Sequence, residues 1–197
     1  MTPYELLLAD WSSLDARSRA GSPPSRAQRH AHLRELLGAH LGMPAREVVL
    51  EHDPFGRPQL THESGLHVST AHDGRLFAVA IGPAPLGIDL ERIRPLPDWR
   101  ALALDHLPTP ERAALQGLPE SEAPAAFLAA WTRLEACAKL GGRGITSAPA
   151  PADLPTPVHV HTERVHRGGR RWYVSVAWGQ PTSTRTGDTL SPSCKGA

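Results

Sequence analysis

The pattern of apolar and polar positions divides the chain into two similar stretches around a Pro/Gly joint, "GPAPLG", at residues 82–87. Before the joint, Leu33, Leu36, Leu37 and Leu41 recur at helical spacing from Arg26 onward, and Gly42 is placed to stop that helix. "EVVLEHD" reads as a short strand and "PFGRPQL" as a loop. The apolar runs "GLHVSTA" and "LFAVAIG" flank His72-Asp73-Gly74-Arg75 and predict a hairpin. After the joint, "GIDLERI" predicts a strand. Thr109-Pro110-Glu111 reads as a helix start, with Thr109 as the cap and Pro110 at the first helical position. A longer helix is expected from about Pro124 to Leu140, where Phe127, Trp131, Leu134 and Ala138 form one apolar stripe, and "LGGRG" ends it. "PVHVHTERV" and "RWYVSVAW" then flank "HRGG" as a second hairpin. The stretches 12–25 and 146–157 read as loops, and the polar residues 181–197 as a disordered tail. Each half thus offers a helix, a joining loop and an antiparallel hairpin. The expected fold is α+β with two similar lobes, 1–84 and 85–180.

Composition narrows the function classes. A chain of 197 residues supports one core, or two small lobes sharing an interface. A formal net charge of +1 gives no general attraction to nucleic acid or anionic membrane. No apolar run reaches the length of a membrane span, and the opening "MTPYELLLADW" lacks the basic region of a signal peptide, so a cytoplasmic protein is expected. Cys137 and Cys194 are too far apart in sequence to suggest a zinc motif, and the eleven histidines are scattered. All but two of the 21 basic residues are arginine. Lys139, inside the long helix, therefore invites a chemical reason.

Asp89 and Glu91 alternate along a strand, so their carboxylates share a face and repel one another. Open water would tolerate that arrangement, and so would a cation between them. Glu135 and Lys139 lie one turn apart on the long helix, a spacing that also suits an ordinary surface salt bridge. Taken together, two strand acids and a third from a facing helix would suit Mg²⁺, which takes oxygen ligands and keeps several waters. A lysine one turn further along would reach phosphate oxygens. The chemistry implied is attack at, or displacement from, a phosphoryl group.

"FGRPQL" at 55–60, "LHVSTAHDG" at 66–74, "GIDLE" at 87–91 and "WTRLEACAKLGGRG" at 131–144 resemble, in order and approximate spacing, the motifs of the phosphopantetheinyl transferases. The surfactin-synthase-type class of secondary metabolism is the nearest in pattern, and "LPTPERAAL" resembles a short helix start of that family. The resemblance implies two pseudo-symmetric α+β lobes with coenzyme A at their junction. It implies transfer of the 4'-phosphopantetheine arm to a serine of an apo acyl, polyketide or peptidyl carrier protein, with adenosine 3',5'-bisphosphate leaving. By the same resemblance, Asp89, Glu91 and Glu135 would be the Mg²⁺ acids and Lys139 the pyrophosphate contact. His72 would lie near the 3'-phosphate, Arg57 would supply the basic residue of a "GRP" motif, and Arg29, with Arg26, would approach the nucleotide. Glu135 is the candidate general base for the serine proton, directly or through a water. The protein is expected to act as a monomer.

Two positions depart from the family pattern. Leu134 stands where "WTxKEA" has lysine, and Ala71 where serine usually precedes the histidine. Neither touches the metal acids, but both leave open an alternative, a catalytically impaired module that binds coenzyme A or a carrier protein. Another Mg²⁺-dependent phosphate enzyme, such as a pyrophosphate hydrolase, is a third possibility. Residues 95–120 are a candidate carrier surface, with Trp99 and Leu102 either exposed for docking or buried in the core.

Overall fold

The computed structural model describes residues 2–10, 24–54, 56–61, 65–142 and 158–179. The loop expected at 146–157, the tail 181–197, Cys194 and nearly all of the loop expected at 12–25 lie outside them. Eight strands and four α-helices are described: β1 (Glu5–Asp10), α1 (Arg26–Leu41), β2 (Leu50–His52), β3 (Pro58–Leu60), β4 (His67–Asp73), β5 (Leu76–Gly82), β6 (Leu86–Arg92), α2 (Trp99–His106), α3 (Thr109–Gln116), α4 (Ala123–Leu140), β7 (His159–Arg167) and β8 (Arg170–Trp178). Among the described residues no helix is long and apolar enough to cross a membrane.

The first sheet has strand order β1-β5-β4 and the second β6-β8-β7, all neighbours antiparallel, with β2 and β3 forming a separate pair. Helix α1 covers one face of the first sheet: Leu33 and Leu37 pack with Val68, Phe77, Val79 and Ile81. The other face meets the second sheet, where Ala71, Ala78 and Ala80 accommodate the larger Ile88, Leu90, Trp172, Val174 and Val176. Helix α4 lies on the far face of the second sheet. The layers therefore run helix, sheet, sheet, helix. β5 is covered on both faces, which explains why "LFAVAIG" is buried throughout and apolar without alternation.

The edge strands β4 and β6 lie beside each other, and side chains bridge this seam. Ser69 Oγ accepts from the Ile88 amide at 3.2 Å, and Asp73 Oδ2 accepts from the Arg92 amide. Each bond occupies an edge N–H that would otherwise be left unpaired inside the molecule.

Several expectations are met at residue level. α1 spans Arg26–Leu41, opened by a capping box between Ser25 and Gln28 and closed by Gly42 in the left-handed region at φ 68°. The two main hairpins fall as expected, and Gly168 and Gly169, both at positive φ, turn the second one.

Four features differ. "YELLLAD" contributes β1, an edge strand whose three consecutive leucines carry no period-two signal. Pro58–Leu60 form β3 within the expected loop. Residues 95–120 contain, besides the expected helix α3, the unexpected helix α2; both pack on α4, and Trp99 takes the second of its two expected places, buried in the core at 5% exposure. Pro108 rather than Thr109 holds the cap position of α3, and the Thr109 hydroxyl accepts from Arg112 Nη2 at 2.8 Å.

Candidate active site

The geometry of the acidic strand begins at Gly87. Gly87, Asp89 and Glu91 alternate onto the face of β6 that meets α4. A Cβ at Gly87 would overlap the Ala136 carbonyl oxygen and the Leu140 amide nitrogen. The absent side chain lets the helix backbone settle onto the strand. That approach carries Glu135 and Lys139 to the level of the strand acids. Lys139 Nζ donates to Asp89 Oδ1 at 2.8 Å, so its partner is the strand acid and not Glu135 one turn earlier.

Asp89 is only 8% exposed, and its second oxygen, Oδ2, is buried without a hydrogen-bond partner. A buried carboxylate oxygen left open is costly unless something positive completes it. Glu91 is partly buried and bonded to Arg94 Nη1 at 2.9 Å. Burial raises its pKa above the ordinary carboxylate value, Arg94 opposes that rise, and Asp89 and Asp73 add to it. Glu135 makes no ion pair within 4 Å among the described residues. Burial first, then the Asp89 charge, pushes its pKa up to about 7; Lys139 pulls the other way and Glu91 adds a smaller rise. The three carboxylates feel one another through space. Among the described residues, however, no three His, Cys, Asp or Glu side chains are gathered at the distance of shared metal ligands.

Beside Asp89 and Lys139 opens a cavity of about 430 Å³, bounded by α1, β4, β6 and α4. Apart from Asp89, its charged and titratable lining is basic: Arg26, Arg29, His30, His52, His72 and Lys139. Arg29 is held by a bond from Nη1 to the Pro24 carbonyl at 2.6 Å. The rings of His30 and His52 stack with centroids 4.5 Å apart. The pKa of His72 is lowered by burial, then by Arg29 and Lys139, against the pull of Asp73 and Asp89. That of His30 is lowered by burial, then by His52 and the neighbouring arginines. Positive charge and imidazole hydrogen-bonding groups gathered in one wall give this cavity the chemistry to receive an anion.

Of the residues singled out in the sequence, Asp89, Lys139, His72, Ala71, Arg26 and Arg29 line this cavity, while Glu91 and Glu135 are not in its wall. Arg57 lines a neighbouring cavity of about 330 Å³ with His67 and Leu86, and Pro58 belongs to both. Its half-buried guanidinium has its pKa lowered by desolvation, with Asp53 opposing, and reaches toward Gly142 at the end of α4. The basic pair His30 and His52 was not foreseen. One signal was available: Arg26, Arg29, His30 and Leu33 fall on a single helical face.

Residues 85–178 match the family model described as the 4'-phosphopantetheinyl transferase superfamily. The chain is 34% identical over 117 residues to the 4'-phosphopantetheinyl transferase HetI of Nostoc sp., covering 57% of this chain and 49% of the relative. It is 28% identical over 114 residues to psf-1 of Bacillus pumilus, a 4'-phosphopantetheinyl transferase, covering 58% and 48%. A longer match, 28% over 165 residues, is to the 4'-phosphopantetheinyl transferase AcpT of Salmonella typhimurium, covering 80% and 84%. The chain spans about half the length of the first two relatives. The matched segment runs from the start of β6 to the end of β8 and so holds Asp89, Glu91, Glu135 and Lys139. The part of the chain that carries these four residues is thus the part similar to the 4'-phosphopantetheinyl transferase superfamily.

Proposed function

We propose that this protein transfers the 4'-phosphopantetheine arm of coenzyme A to a serine of an apo carrier protein, with Mg²⁺ as cofactor. The observation that carries the reading is Asp89, which lines a cationic cavity, couples electrostatically to Glu135, and has a buried Oδ2 without a hydrogen-bond partner. The fit to a hard divalent cation rests on that orphaned oxygen and on a donor set made only of carboxylates. Asp89, Glu91 and Glu135 would hold the ion, after side-chain movements that gather them. When bound, Mg²⁺ would supply charge neutralisation at the pyrophosphate of coenzyme A.

The protein's own groups account for the rest. Arg26, Arg29, His30 and His72 would bind the phosphates of the nucleotide end in the basic cavity. Lys139 would divide its charge between Asp89 and the pyrophosphate, offsetting negative charge on the departing adenosine 3',5'-bisphosphate. Arg57 would offer a further cation from the adjoining cavity. Glu135, a carboxylate beside the reacting centre, would accept the serine proton directly or through a water. The serine oxygen then forms the new bond to phosphorus as the bond to the bisphosphate breaks.

The departures from the family pattern fall at one packing position and one position in the cavity wall. Leu134 packs with the cluster formed by α2, α3 and the first half of α4, and Ala71 is a buried member of the inter-sheet core that also forms part of the wall of the basic cavity. Neither removes one of the three carboxylates, which favours an active transferase over an impaired module. We read the segments 1–84 and 85–180 as two related lobes of one cytoplasmic monomer of the surfactin-synthase type. The clients are acyl, polyketide or peptidyl carriers.

The test is a panel of apo carriers incubated separately with the protein, coenzyme A and Mg²⁺, then weighed intact. At least one carrier should gain the mass of one phosphopantetheine. Asp89→Ala and Glu135→Ala should each reduce the rate by more than about a hundredfold while unfolding as cooperatively as the parent. Undiminished transfer by both variants would remove the assigned acid site.

A further inference from the structure

Helix α4 is fastened to the second sheet by a buried hydroxyl chain that lies outside the charged cluster. Thr132 and Ser175 are fully buried. Thr132 Oγ1 donates to the Ala129 carbonyl at 3.0 Å and lies 2.8 Å from Ser175 Oγ, which in turn lies 2.9 Å from Thr162 Oγ1. Each hydroxyl has a single proton, and that of Thr132 goes to Ala129. Ser175 must therefore donate to Thr132, and Thr162 to Ser175. The chain has one direction, Thr162 to Ser175 to Thr132 to the backbone of α4, and every member of it is satisfied.

Its position relates it to the site. Thr162 faces Ser175 across the β7–β8 ladder, and Ser175 faces Asp89 across the β8–β6 ladder. One polar row thus crosses the sheet under α4, and its only open atom is Asp89 Oδ2. Along α4, Thr132 stands three residues before Glu135 and seven before Lys139, on the same side of the helix. The helix then has two fixed points on the sheet: hydroxyl contact at Ser175 and backbone contact at Gly87. Glu135 and Lys139 are presented from the span these points define. Apolar packing would hold the helix down but would resist sliding and rotation less than a directional bond to one hydroxyl does.

We infer that Thr132 and Ser175 are positioning residues, which set the height and rotation of α4 over β6 so that Lys139 meets Asp89 and Glu135 stands above the acid strand. The functional consequence rests on the metal-site reading; the positioning itself does not.

The experiment is a double-mutant cycle on unfolding equilibria of the full metal-free chain, pairing Asp89→Asn with Lys139→Met. It is run in the parent and in the Thr132→Val, Thr132→Ser and Ser175→Ala backgrounds. The Asp89–Lys139 coupling is expected to be about fivefold or more in the parent and in Thr132→Ser. It should fall toward one in Thr132→Val and Ser175→Ala. Should Thr132→Val not fold, Ser175→Ala, which removes less volume, gives the same reading. Coupling unchanged in the folded hydroxyl-deleted variants overturns the inference. Calorimetric titration of magnesium chloride into the same proteins separates the two ideas. Thr132→Val should bind about tenfold more weakly than the parent, and Thr132→Ser close to it. No Mg²⁺ binding by the parent, with the coupling behaving as expected, would sink the metal site and leave the positioning role standing.

Discussion

Glu135 is the residue whose environment departs furthest from its sequence context. In sequence it is one acid of an ordinary helix, four residues before a lysine. In the fold it is half-buried above two more carboxylates, and its lysine is engaged by Asp89. Because the folded pKa of about 7 exceeds the ordinary carboxyl value of 4.5, ionised Glu135 opposes folding, and stability falls as pH rises between those values. The full shift corresponds to at most roughly 3 kcal/mol, and partial solvation reduces it. Glu135→Gln should therefore raise the melting temperature of the metal-free protein at pH 8 and leave it nearly unchanged at pH 4.5. Thermal unfolding monitored by circular dichroism at the two pH values checks this. Equal effects at both would show that burial and the neighbouring acids do not raise its pKa. The sequence marks Glu135, Asp89 and Glu91 as a possible group through spacing alone. It does not show that Lys139 would take Asp89, because that pairing depends on the depth to which the helix sinks.

That depth is a property of elements, and Gly87 sets it. Gly87→Ala would place a methyl group against the backbone of α4, which cannot move aside as a flexible side chain can. The expected cost is about 1–3 kcal/mol of stability, together with loss of most transferase activity as Glu135 and Lys139 lift away from β6. Denaturant unfolding and the carrier assay measure the two effects. Full activity in a destabilised Gly87→Ala would separate helix depth from the chemistry. At this scale the chain is legible where local chemistry and periodicity agree. α1 has a capping box, a leucine stripe and a left-handed glycine stop, and its limits follow from them. α2 has no side-chain cap bond and is eight residues long, so "WRALALDH" carries too little pattern to separate it from a surface loop. β1 and β3 are strands because of their partners, β5 and β2, and no local period announces either one.

At the scale of the whole molecule, the proposed site draws on both sheets and both long helices, which meet at one seam. The acids come from β6 and α4, while most of the basic cavity comes from α1 and β4. Ser69 and Asp73 tie these halves together through the backbone of β6. The sequence motifs identify the contributors from both sides but not how they divide. Arg57 lies in the neighbouring cavity, and His30 and His52 join the basic wall. The lowered pKa values of His30 and His72 leave both neutral at pH 7, so binding of an anion should draw protons onto them. Affinity for adenosine 3',5'-bisphosphate, measured by calorimetry, should therefore strengthen as pH falls from 8 to 6, with net proton uptake. Arg29→Ala should weaken it about tenfold or more. An affinity independent of pH would place the phosphates elsewhere.

The account stands or falls on whether three carboxylates from β6 and α4 close around one ion. Anomalous diffraction from crystals of the protein soaked in Mn²⁺, as a stand-in for Mg²⁺, reads this directly. The expected result is a single peak in contact with Asp89 Oδ2 and flanked by Glu91 and Glu135, absent in Asp89→Ala. A peak elsewhere, or none at Asp89 in protein that still modifies a carrier, would contradict it.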